Sequence, residues 1–557
     1  MWRLAKKAPL KFRTTSGRSL SMQIKDPKNL FSFTKGRWLY NNDQQLAARY
    51  VPFNISALAD IAVEAAEARS CTSFEKLDEG LFNRAFLLRF DNDRELIARI
   101  PFPVAGPKHF MTASEVATME YVRTELELPV PHVRAWSSRA ESTPVGAEFI
   151  IYDKVPGVPL RSRWWDPEVK GIVAMDIITT IVVFERLMID QRFSQIGSIY
   201  FKEDLPPFLQ DRSLYSSDAA STPNSERFRI GPSLYREFWR GGRAALDIDR
   251  GPWPNIHSFA RALSACERAW LKQRSDATSP EHLALLDDYD KLIPFLTPAV
   301  TPFTLWHPDM HEGNILATES DPCEITGVID WQSSLVGPFF MQVTLSPVLH
   351  YSVSPYVDYT PGSSTNPTFA PGYEDLNPEQ KKAADRALKA AFRARAYDLK
   401  MKELNPAMVD VVDRALVREL SIRPIRAVTR GISEGLPAIR DALIDVCDTW
   451  DIIVGSHSKG TSVVPCPIHF PDVERERHAA EYESLLKPWS LRESLHEQLG
   501  LDPDGFVRSE KYEAVKEAHD ALREKLINEA EPEEKEWLVR CWPFQDGQLA
   551  YSSETCQ

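Results

Sequence analysis

Apolar and polar residues downstream of position 70 form the short runs that are typical of β-strands. The run "NRAFLLRF" (83–90) is rich in phenylalanine and leucine, and the turn sequence "DNDR" separates it from the next run, "ELIARI" (95–100). An earlier run, "TSFEKLDEG" (72–80), predicts a short strand that ends at Gly80. A loop that contains Gly80 and Asn83 offers backbone N–H groups to a phosphate, although ordinary hairpins use the same residues.

The next run, "TASEVATMEYVRTELELPVP", predicts an α-helix that Pro129 brings to an end. Its residues Glu115, Met119 and Val122 fall on one face, at spacings of four and three. Glu115 therefore shares an apolar face, where an unpaired carboxylate is costly, and we expect Arg99 on the preceding strand to be its partner. The alternative is that Glu115 lies at the helix start and interacts only with the helix dipole.

Two further segments predict a hinge between two lobes and a buried helix. The segment "AEFIIYDKVPG" (147–157) predicts a strand that ends in a Pro-Gly break, which is typical of a hinge between two lobes. The most apolar run is 171–189, but Asp176 and Glu185 leave too little uninterrupted apolar length to span a bilayer. We therefore predict a buried core helix there.

The rest of the body predicts irregular and helical segments. The irregular segments, 202–232 and 352–376, are rich in Ser, Pro, Asp and Tyr and are expected at the surface. From about residue 377 onward, amphipathic runs predict long helices, and residues 510–540 predict one strongly charged helix.

Length, charge and cysteine content narrow the class of protein. At 557 residues the chain is too long for one compact core, and 43% hydrophobic with 26% charged residues is ordinary for a globular protein. The net charge of −13 argues against nucleic acid as the main ligand, because neutralising phosphates needs a basic face. Seven cysteines without a C-x-x-C pair argue against a zinc site or a disulfide framework and favour a reducing compartment.

The first twenty-five residues differ in kind from the rest of the chain. They carry seven basic residues and no acidic one, together with hydroxyl residues and scattered large apolar side chains. This composition is typical of a mitochondrial transit peptide, and "RSLS" (18–21) resembles a processing site with cleavage before Ser21. The alternative interpretation is a disordered basic tail.

The polar cluster in "LWHPDMHEGNILA" (305–317) is the main candidate for chemistry. One interpretation is a metal site formed by four residues, His307, Asp309, His311 and Glu312. No single strand or helix would direct all four to one point. An irregular loop fits better, because Pro308 keeps the preceding residue out of the α region and Gly313 allows a left-handed turn. Such a loop presents Asp309 and, five residues later, Asn314.

A second carboxylate follows at a defined distance. Asp330 lies sixteen residues after Asn314, at the end of the apolar strand "EITGVID". One carboxylate to accept a hydroxyl proton, with an Asn and a second carboxylate to bind Mg²⁺, are the parts that a phosphoryl-transfer site needs. The spacing H-x-D-x-x-x-x-N also arises by chance, so its weight comes from the glycine loop, strand cation and helix Glu that precede it in order.

Together these motifs resemble the aminoglycoside phosphotransferase-like (choline kinase-like) branch of the protein-kinase fold. "HPDMHEGNIL" is similar to the H-x-D-x-H-x-x-N loop of that branch, and "GVIDWQ" is similar to its metal-binding I-D-W segment. From about residue 30 to about residue 500, stretches such as "GRWLYNNDQQLAARYVPF" and "LDIDRGPW" resemble the fungal altered inheritance of mitochondria protein 9 group. The resemblance implies an α+β, kinase-like fold with a small β-rich N-lobe and a large, mostly helical C-lobe.

The resemblance also implies a division of the chain into five parts. These are a transit peptide (1–25), an N-terminal extension (26–70), an N-lobe (71–154), a C-lobe (155–500) and a charged helical C-terminal extension (501–557). The catalytic loop and the substrate-side helices are expected in the C-lobe.

Site residues follow from the resemblance, position by position. Asp309 would be the catalytic base, and Asn314 and Asp330 would bind Mg²⁺. His307 and His311 would brace the loop by hydrogen bonds. The residues expected to bind ATP are Gly80, Asn83, Arg99, Glu115 and, through the backbone, Asp153 and Val155.

The implied function is an ATP- and Mg²⁺-dependent transfer of the γ-phosphoryl group to a hydroxyl of a small molecule in mitochondria. An acidic site would favour a cationic alcohol as the acceptor, by analogy with choline and aminosugars. The chain departs from the family pattern at three positions, of which Arg99 and Leu81 favour an alternative, a pseudokinase-like protein that acts by binding in mitochondrial maintenance. Arg99 stands where Lys is usual, Leu81 where many relatives have a second Gly, and Gln332 where many have Glu. A protein kinase is the weakest interpretation, because the chain lacks H-R-D at the loop and A-P-E after it.

Overall fold

The computed structural model of the chain describes residues 3–4, 23–24, 29–217, 222–274, 279–297, 301–455 and 462–547. Apart from two short strands, the predicted transit peptide lies outside these residues, and so does its predicted cleavage site. The described chain forms two lobes, a smaller one built on a β-sheet and a larger one that is mainly helical. The predicted α+β, two-lobe architecture is therefore confirmed.

A mixed β-sheet is the centre of the N-terminal lobe. In chain order the strands and helices of this part are β1 (Arg3–Leu4), β2 (Gln23–Ile24), β3 (Gly36–Trp38), α1 (Asn42–Ala47), α2 (Ile55–Ala65), β4 (Cys71–Lys76), β5 (Asn83–Phe90), β6 (Glu95–Pro101), α3 (Phe110–Thr124), β7 (Val133–Ser137) and β8 (Phe149–Asp153). The strand order is β1-β7-β8-β6-β5-β4-β2, and the β2–β4 pair is parallel while the other pairs are antiparallel. The three strands predicted after position 70 are β4, β5 and β6.

The two faces of this sheet are covered by different helices. Alternate residues of β4 and β5, such as Phe74 and Leu88, pack against Leu58 of α2. On the opposite face, Ile150 of β8 packs with residues of α3, while its neighbour Ile151 belongs to the α2 side. The strict alternation of side chains along a strand produces this division.

The larger lobe and the C-terminal extension contain most of the helices. In chain order the elements are β9 (Val158–Pro159), α4 (Gly171–Ile189), β10 (Ser198–Phe201), β11 (Phe228–Gly231), α5 (Ile256–Gln273), α6 (Pro280–Leu296), β12 (Phe303–Trp306), β13 (Ile315–Ala317), β14 (Ile325–Val328), β15 (Leu335–Pro338), α7 (Phe339–Gln342), β16 (Val357–Asp358), β17 (Thr368–Phe369), α8 (Pro378–Leu404), α9 (Pro406–Asp413), α10 (Ala415–Ala427), α11 (Gly431–Glu434), α12 (Leu436–Asp448), α13 (Trp450–Val454), α14 (Asp472–Leu499), β18 (Phe506–Arg508), α15 (Tyr512–Glu529) and α16 (Pro532–Cys541). Within the described ranges, none of these helices is long and apolar enough to cross a membrane.

Two hydrophobic cores hold the larger lobe together. The first surrounds α4 and the strands β12 to β15, and it includes Ile181, Leu305 and Trp331. The second is formed mainly by α5, α6, α10 and α12. Since Ile181 is fully buried, the predicted buried helix over residues 171–189 is confirmed. The loops that follow β12 and β14 lie where the first core meets the N-lobe.

Two segment predictions are wrong in part. The segment 202–232, predicted to be irregular, ends in β11, whose residues Phe228 and Ile230 are buried next to β10. The charged segment 510–540 forms two helices, α15 and α16, instead of one. The break falls before Pro532, because proline has no N–H for the preceding helix but is well suited to the first turn of a new one.

The two extensions of the described chain pack on each other. Strand β3 pairs antiparallel with β18, and the indole N–H of Trp38 donates to Asp504 at 3.1 Å. The Tyr512 hydroxyl donates to the Trp38 carbonyl oxygen at 3.3 Å. The N-terminal extension is thereby tied to residues that lie more than 450 positions later in the chain.

Candidate active site

A buried histidine sets the shape of the loop between β12 and β13. The His307 side chain is 2% exposed. Its Nδ1 accepts from the backbone N–H of Asp309 at 3.1 Å, and its Nε2 lies 3.1 Å from the carbonyl oxygen of Ile329. Because a carbonyl oxygen only accepts, the proton is on Nε2, and burial lowers the pKa of His307, so the ring is neutral at pH 7. The predicted bracing role of His307 is confirmed.

Asp309 and Asn314 are held at opposite ends of this loop. The Asn314 side-chain amide donates to the Asp309 carbonyl oxygen at 2.9 Å. The Asp309 carboxylate is 61% exposed and lies 3.5 Å from Nε2 of His311, whose Nδ1 accepts from the Gly313 N–H at 2.8 Å. The backbone of Asp309 is therefore fixed while its carboxylate stays open, as a base that must reach a substrate hydroxyl requires.

Asp330 follows β14 in a strained backbone conformation. Its φ is 64°, in the left-handed region that residues other than glycine rarely adopt. The Ile329 N–H donates to the Asn314 carbonyl oxygen at 2.9 Å, so the chain segments that carry Asn314 and Asp330 are adjacent. Strain of this kind collects at functional sites, where surrounding contacts maintain it. Here one such contact joins Asp330 Oδ1 to Nη1 of Arg99, at 3.0 Å.

Arg99 of β6 lies between two carboxylates. In the sheet register it is opposite Ile150, which packs with α3, so Arg99 also faces that helix. Its Nη2 contacts the Glu115 carboxylate, and its Nη1 contacts Asp330. Arg99 is 7% and Glu115 is 3% exposed. The contact expected between Arg99 and Glu115 is confirmed, and the helix-start alternative is wrong, because α3 already begins at Phe110.

Burial and neighbouring charges act on this group in opposite directions. Burial alone lowers the pKa of Arg99, but the Glu115 and Asp330 carboxylates outweigh it and raise that pKa above its usual value. Burial raises the pKa of Glu115 to about 7, although Arg99 opposes the rise and Asp330 adds to it. One permanent cation thus serves two carboxylates, and one of the two titrates near neutral pH.

The donor atoms around this group suit a hard cation and a phosphate. Asp330 supplies a carboxylate that is 39% exposed. The amide oxygen of Asn314 receives no hydrogen bond from the described residues. Carboxylate and amide oxygens are ligands that Mg²⁺ takes, usually together with phosphate and water oxygens. Arg99 Nε is buried and has no acceptor in the described part of the chain, so an N–H is left for a phosphate oxygen.

The loop between β4 and β5 touches the larger lobe. The Gly80 N–H donates to the Asn83 carbonyl oxygen at 3.1 Å, which closes a tight turn. The side-chain amide of Asn83, a residue predicted to bind ATP, donates instead to Oε1 of Gln332. At the tip of the loop, the ring of Phe82 lies 5.6 Å from the guanidinium of Arg236. The loop is therefore latched to the larger lobe at two points.

The N-terminal extension supports the same loop from the other side. Arg49 Nε donates to the Leu81 carbonyl oxygen at 3.0 Å. The backbone N–H and the hydroxyl of Thr34 both donate to the buried Glu79 carboxylate, at 2.7 and 3.0 Å. These contacts could not be predicted from the sequence, because the partners lie 32 and 45 positions apart and follow no motif.

The predicted hinge follows β8. The Asp153 N–H is already engaged with the His132 carbonyl oxygen at 3.0 Å, and the Asp153 carboxylate forms a two-point pair with Arg134. Neither the N–H nor the C=O of Val155 has a hydrogen-bond partner among the described residues. Of the two residues predicted to bind adenine, Val155 therefore offers open backbone groups.

A cleft of about 230 Å³ opens beside the loop that carries Asp309, within the larger lobe. Its walls include the rings of Tyr235, Phe259 and Trp306 and also Pro308, the residue before Asp309. Arg426 is the charged residue in the lining, and no acidic side chain occurs among the described residues that line it. This cleft could not be predicted from the sequence, because its walls come from several separate segments of the chain.

The structure brings most of the predicted site residues together. Asp309, Asn314 and Asp330 are joined through the loop backbone, and Arg99 connects Asp330 to Glu115. The loop that contains Gly80 and Asn83 joins these residues through Gln332, which lies two positions after Asp330. The hinge residues lie apart from them, at the end of β8. Gln332 was noted as a departure from the pattern, but no sequence signal identified Asn83 as its partner.

Comparison with known proteins shows which family and which relatives this chain is similar to. Residues 73–345 match the phosphotransferase enzyme family (APH), a range that includes every predicted site residue. A subtelomeric hrmA-associated cluster protein of Aspergillus fumigatus is 31% identical over 525 residues, which cover 86% of this chain and 97% of that protein. The Yarrowia lipolytica protein named altered inheritance of mitochondria protein 9, mitochondrial, is 24% identical, with 81% of each chain covered.

A solved structure gives a weaker likeness. The streptomycin–ATP–APH(2″)-IIa ternary complex has a TM-score of 0.33 and 11% identity, with 70% of this chain and 96% of that chain covered. The fold assignment therefore rests on the family match and on the strand order and helix packing described above.

Proposed function

The chain belongs to the phosphotransferase enzyme family, and from this membership we propose that it transfers the γ-phosphoryl group of ATP to a hydroxyl of a small molecule, with Mg²⁺, in mitochondria. The mitochondrial location is supported by the names of relatives such as the Yarrowia lipolytica protein. The basic, acid-free composition of residues 1–25 agrees with it.

One observation carries the proposal: the open carboxylate of Asp309 and the oxygen donors of Asn314 and Asp330 belong to one braced loop system. Asp309 would accept the proton of the acceptor hydroxyl, since its carboxylate is exposed and its backbone is held by His307. Asn314 and Asp330 would hold the metal ion. Bound Mg²⁺ supplies neutralisation of the charge on the phosphoryl group that is transferred.

The N-lobe residues would bind the nucleotide. Arg99 has an unused buried N–H and is kept charged by Glu115, so it is suited to a phosphate oxygen. The open backbone groups of Val155 would bind the adenine edge. The turn at Gly80 would cover the phosphates, with Asn83 released from Gln332.

The cleft beside Pro308 would receive the acceptor. Its aromatic walls and the cation of Arg426 fit an alcohol with an apolar or aromatic body and no positive charge. This differs from the cationic alcohol that analogy suggested.

The test is a screen of a metabolite extract with labelled ATP after fractionation by charge. We expect labelled products from the neutral or anionic fraction, and labelling confined to the cationic fraction would contradict this assignment.

A second candidate, a non-catalytic binding protein, is favoured by two contacts. Arg99 engages Asp330, the proposed metal ligand, and Gln332 engages Asn83 of the phosphate loop. Both contacts use groups that phosphoryl transfer requires. The two candidates therefore differ in whether nucleotide and metal displace these contacts.

Two substitutions test the roles of the carboxylates. Asp309→Asn should retain Mg·ATP binding within about twofold, but it should lose most of the slow ATP hydrolysis, by roughly 10²–10⁴-fold for a lost general base. Asp330→Asn should weaken Mg·ATP binding itself by about tenfold or more, because a metal ligand is lost. Glu324→Gln, at an exposed carboxylate just before β14, is the matched control and should behave like wild type.

The readouts are titration calorimetry with Mg·ATP and a coupled assay of ATP hydrolysis. If wild type binds no Mg·ATP at millimolar concentration, the phosphotransferase proposal fails. Binding without detectable hydrolysis would favour the non-catalytic candidate, and hydrolysis that Asp309→Asn leaves unchanged would show that Asp309 is not the base.

A further inference from the structure

A cleft of about 480 Å³ lies between α4 and α8, apart from the residues of the candidate active site. Its volume falls within the range of small-molecule sites, roughly 300–1,000 Å³. The floor and walls are apolar and come from both helices, with Met175 and Ile178 on α4 and Phe392 and Leu399 on α8. Phe392 and Leu399 are each 49% exposed. An open apolar surface at a cleft is typical of a binding site.

The charges around this cleft are mostly positive. The cationic residues in its lining are Lys170, Lys389, Arg393 and Arg395. One carboxylate, that of Asp166, also lines it, but Arg163 pairs with that group at 2.7 Å. Since the whole chain has a net charge of −13, this concentration of positive charge is local. The cleft therefore favours an anion.

Arg393 is the buried member of this set. It is 7% exposed, and its Nη2 donates to the carbonyl oxygens of Trp164 and Val169, at 2.7 and 3.0 Å. The rings of Trp164 and Trp165 lie 3.9 and 4.7 Å from its guanidinium. Its Nη1 is buried and has no acceptor, and no carboxylate forms an ion pair with it, in the part of the chain that the structure describes. Burial without a counter-ion lowers the pKa of Arg393 to about 10.

A purely structural role accounts for only part of this arrangement. The bonds of Nη2 and the tryptophan contacts join α8 to the segment that precedes α4. They do not satisfy Nη1, and they do not explain why apolar side chains are exposed beside a buried cation. Buried charges are normally paired, so a buried guanidinium without a carboxylate partner among the described residues is suited to an anion.

We propose that this cleft binds a single-chain amphiphile with a carboxylate head, such as a fatty acid. Arg393 receives the carboxylate, and the hydrocarbon chain lies along Met175, Ile178, Phe392 and Leu399. Both N–H groups of Nη2 are already engaged, so Nη1, which has no acceptor among the described residues, is left to donate to the carboxylate. The apolar walls account for the tail, which an inorganic anion lacks.

The test uses decanoate as the probe and the full-length protein. Calorimetry should find saturable binding of decanoate that is at least tenfold tighter than binding of decanol or decylamine. Arg393→Met should weaken decanoate binding at least tenfold and leave decanol binding unchanged. Arg386→Met is the matched control, because Arg386 also lies on α8 and stacks on Trp165 but does not line the cleft, and it should retain wild-type affinity.

A second variant covers the case in which Arg393→Met does not fold. Ala396→Trp fills the cleft without removing a charge, and it should abolish binding of both decanoate and decanol. The proposal is overturned if wild type shows no saturable decanoate binding below the micelle concentration, or if Ala396→Trp leaves that binding intact. It is also overturned if the protein binds phosphatidylglycerol vesicles through Arg393 but not free decanoate, since the cleft would then be part of a membrane surface.

Discussion

The substitution Glu115→Gln tests the group at the centre of the candidate site, because Glu115 and Asp330 are the two carboxylates that contact Arg99. Arg99 contacts Asp330 at 3.0 Å and also contacts Glu115. For Asp330 to bind a metal ion, it must leave Arg99. With Glu115 ionised, Arg99 then keeps one counter-ion, whereas with glutamine it keeps none within the protein. We therefore expect the variant to bind Mg·ATP more weakly than wild type.

The magnitude follows from the burial of the pair. Arg99 is 7% and Glu115 is 3% exposed. Removing one partner of a buried pair costs about 3–5 kcal/mol when the remaining charge has no other partner. The nucleotide phosphate itself compensates Arg99 in the complex, so we take about 1.5–3 kcal/mol, the range for one hydrogen bond to a charged group. Since about 1.4 kcal/mol is a factor of ten, Mg·ATP affinity should fall roughly 10- to 150-fold.

The pH dependence gives a sharper form of the same test. Burial raises the pKa of Glu115 to about 7, so wild type loses this charge as the pH falls below 7 and comes to resemble the glutamine variant. The ratio of the two affinities should therefore be large at pH 8.5 and approach one near pH 5.5. Protonation of ATP affects both proteins equally and cancels in the ratio.

Glu120→Gln is the control on the same helix. Glu120 is 4% exposed and pairs with Arg123 and Arg227 at 2.7 and 3.1 Å, so this variant also removes a buried charge. It should keep wild-type Mg·ATP affinity at every pH. Calorimetric titrations at four pH values, with melting curves to show that each variant is folded, complete the assay. An affinity ratio that does not change with pH would refute the coupling between Glu115 and the metal site.

Three further predictions concern separate parts of the molecule. The Tyr397 hydroxyl donates to the Glu185 carboxyl group, and burial raises the pKa of Glu185 to about 8 from a usual value near 4.5. The protonated Glu185 side chain therefore stabilises the fold fully below pH 4.5, and this stabilisation is lost as the pH rises through 8. Between pH 4.5 and 8, the free energy of unfolding of wild type should fall by roughly 4 kcal/mol relative to that of Glu185→Gln, as measured by urea titrations at each pH. If the unfolding free energies of the two proteins change with pH in parallel, this prediction is wrong. Gln332→Ala removes the latch on Asn83, so amide hydrogen exchange in the glycine loop should become faster, whereas unchanged exchange would show that the latch does not hold the loop. Protein isolated from mitochondria should begin near Ser21 by N-terminal sequencing, and an intact leader on that protein would refute the transit peptide.

Features set by local chain chemistry were predictable from the sequence. The alternation in β5 and β6, the apolar face of α3 and the buried helix α4 all depend on residues within one element. The loop of Asp309 and Asn314 was predictable for the same reason, because proline and glycine restrict the backbone over a few residues. Even the contact of Arg99 with Glu115 followed from the face on which each residue lies.

Features set by distant contacts were not predictable in this way. The latch between Asn83 and Gln332 joins residues 249 positions apart, and an Asn-Gln pair has no spacing that distinguishes it. The left-handed backbone of Asp330, with φ of 64°, depends on the tertiary structure around it, since aspartate tolerates this region but no sequence pattern predicts it here. The pairing of β3 with β18 depends on two short strands at opposite ends of the chain, each too short to give a pattern.

These distant contacts change the meaning of the three departures from the family pattern. Leu81 replaces a second glycine, but its carbonyl oxygen is held by Arg49, whose guanidinium lies 4.2 Å from the ring of Trp38. Trp38 in turn is held by the C-terminal extension, through β18 and Asp504. The shape of the loop between β4 and β5 is thus maintained by the two extensions instead of by glycine alone.

The other two departures also have partners in the fold. The guanidinium of Arg99 reaches Glu115 and Asp330 with separate nitrogen atoms, and the Gln332 side chain accepts from Asn83. The three departures form a connected set that links the loop of Gly80, Arg99 of β6 and the loop that follows β14. If Asp330 leaves Arg99 for a metal ion when Mg·ATP binds, the affinity ratio for Glu115→Gln should report that change, whereas the loss of hydrolysis in Asp309→Asn is what separates an enzyme from a binding protein.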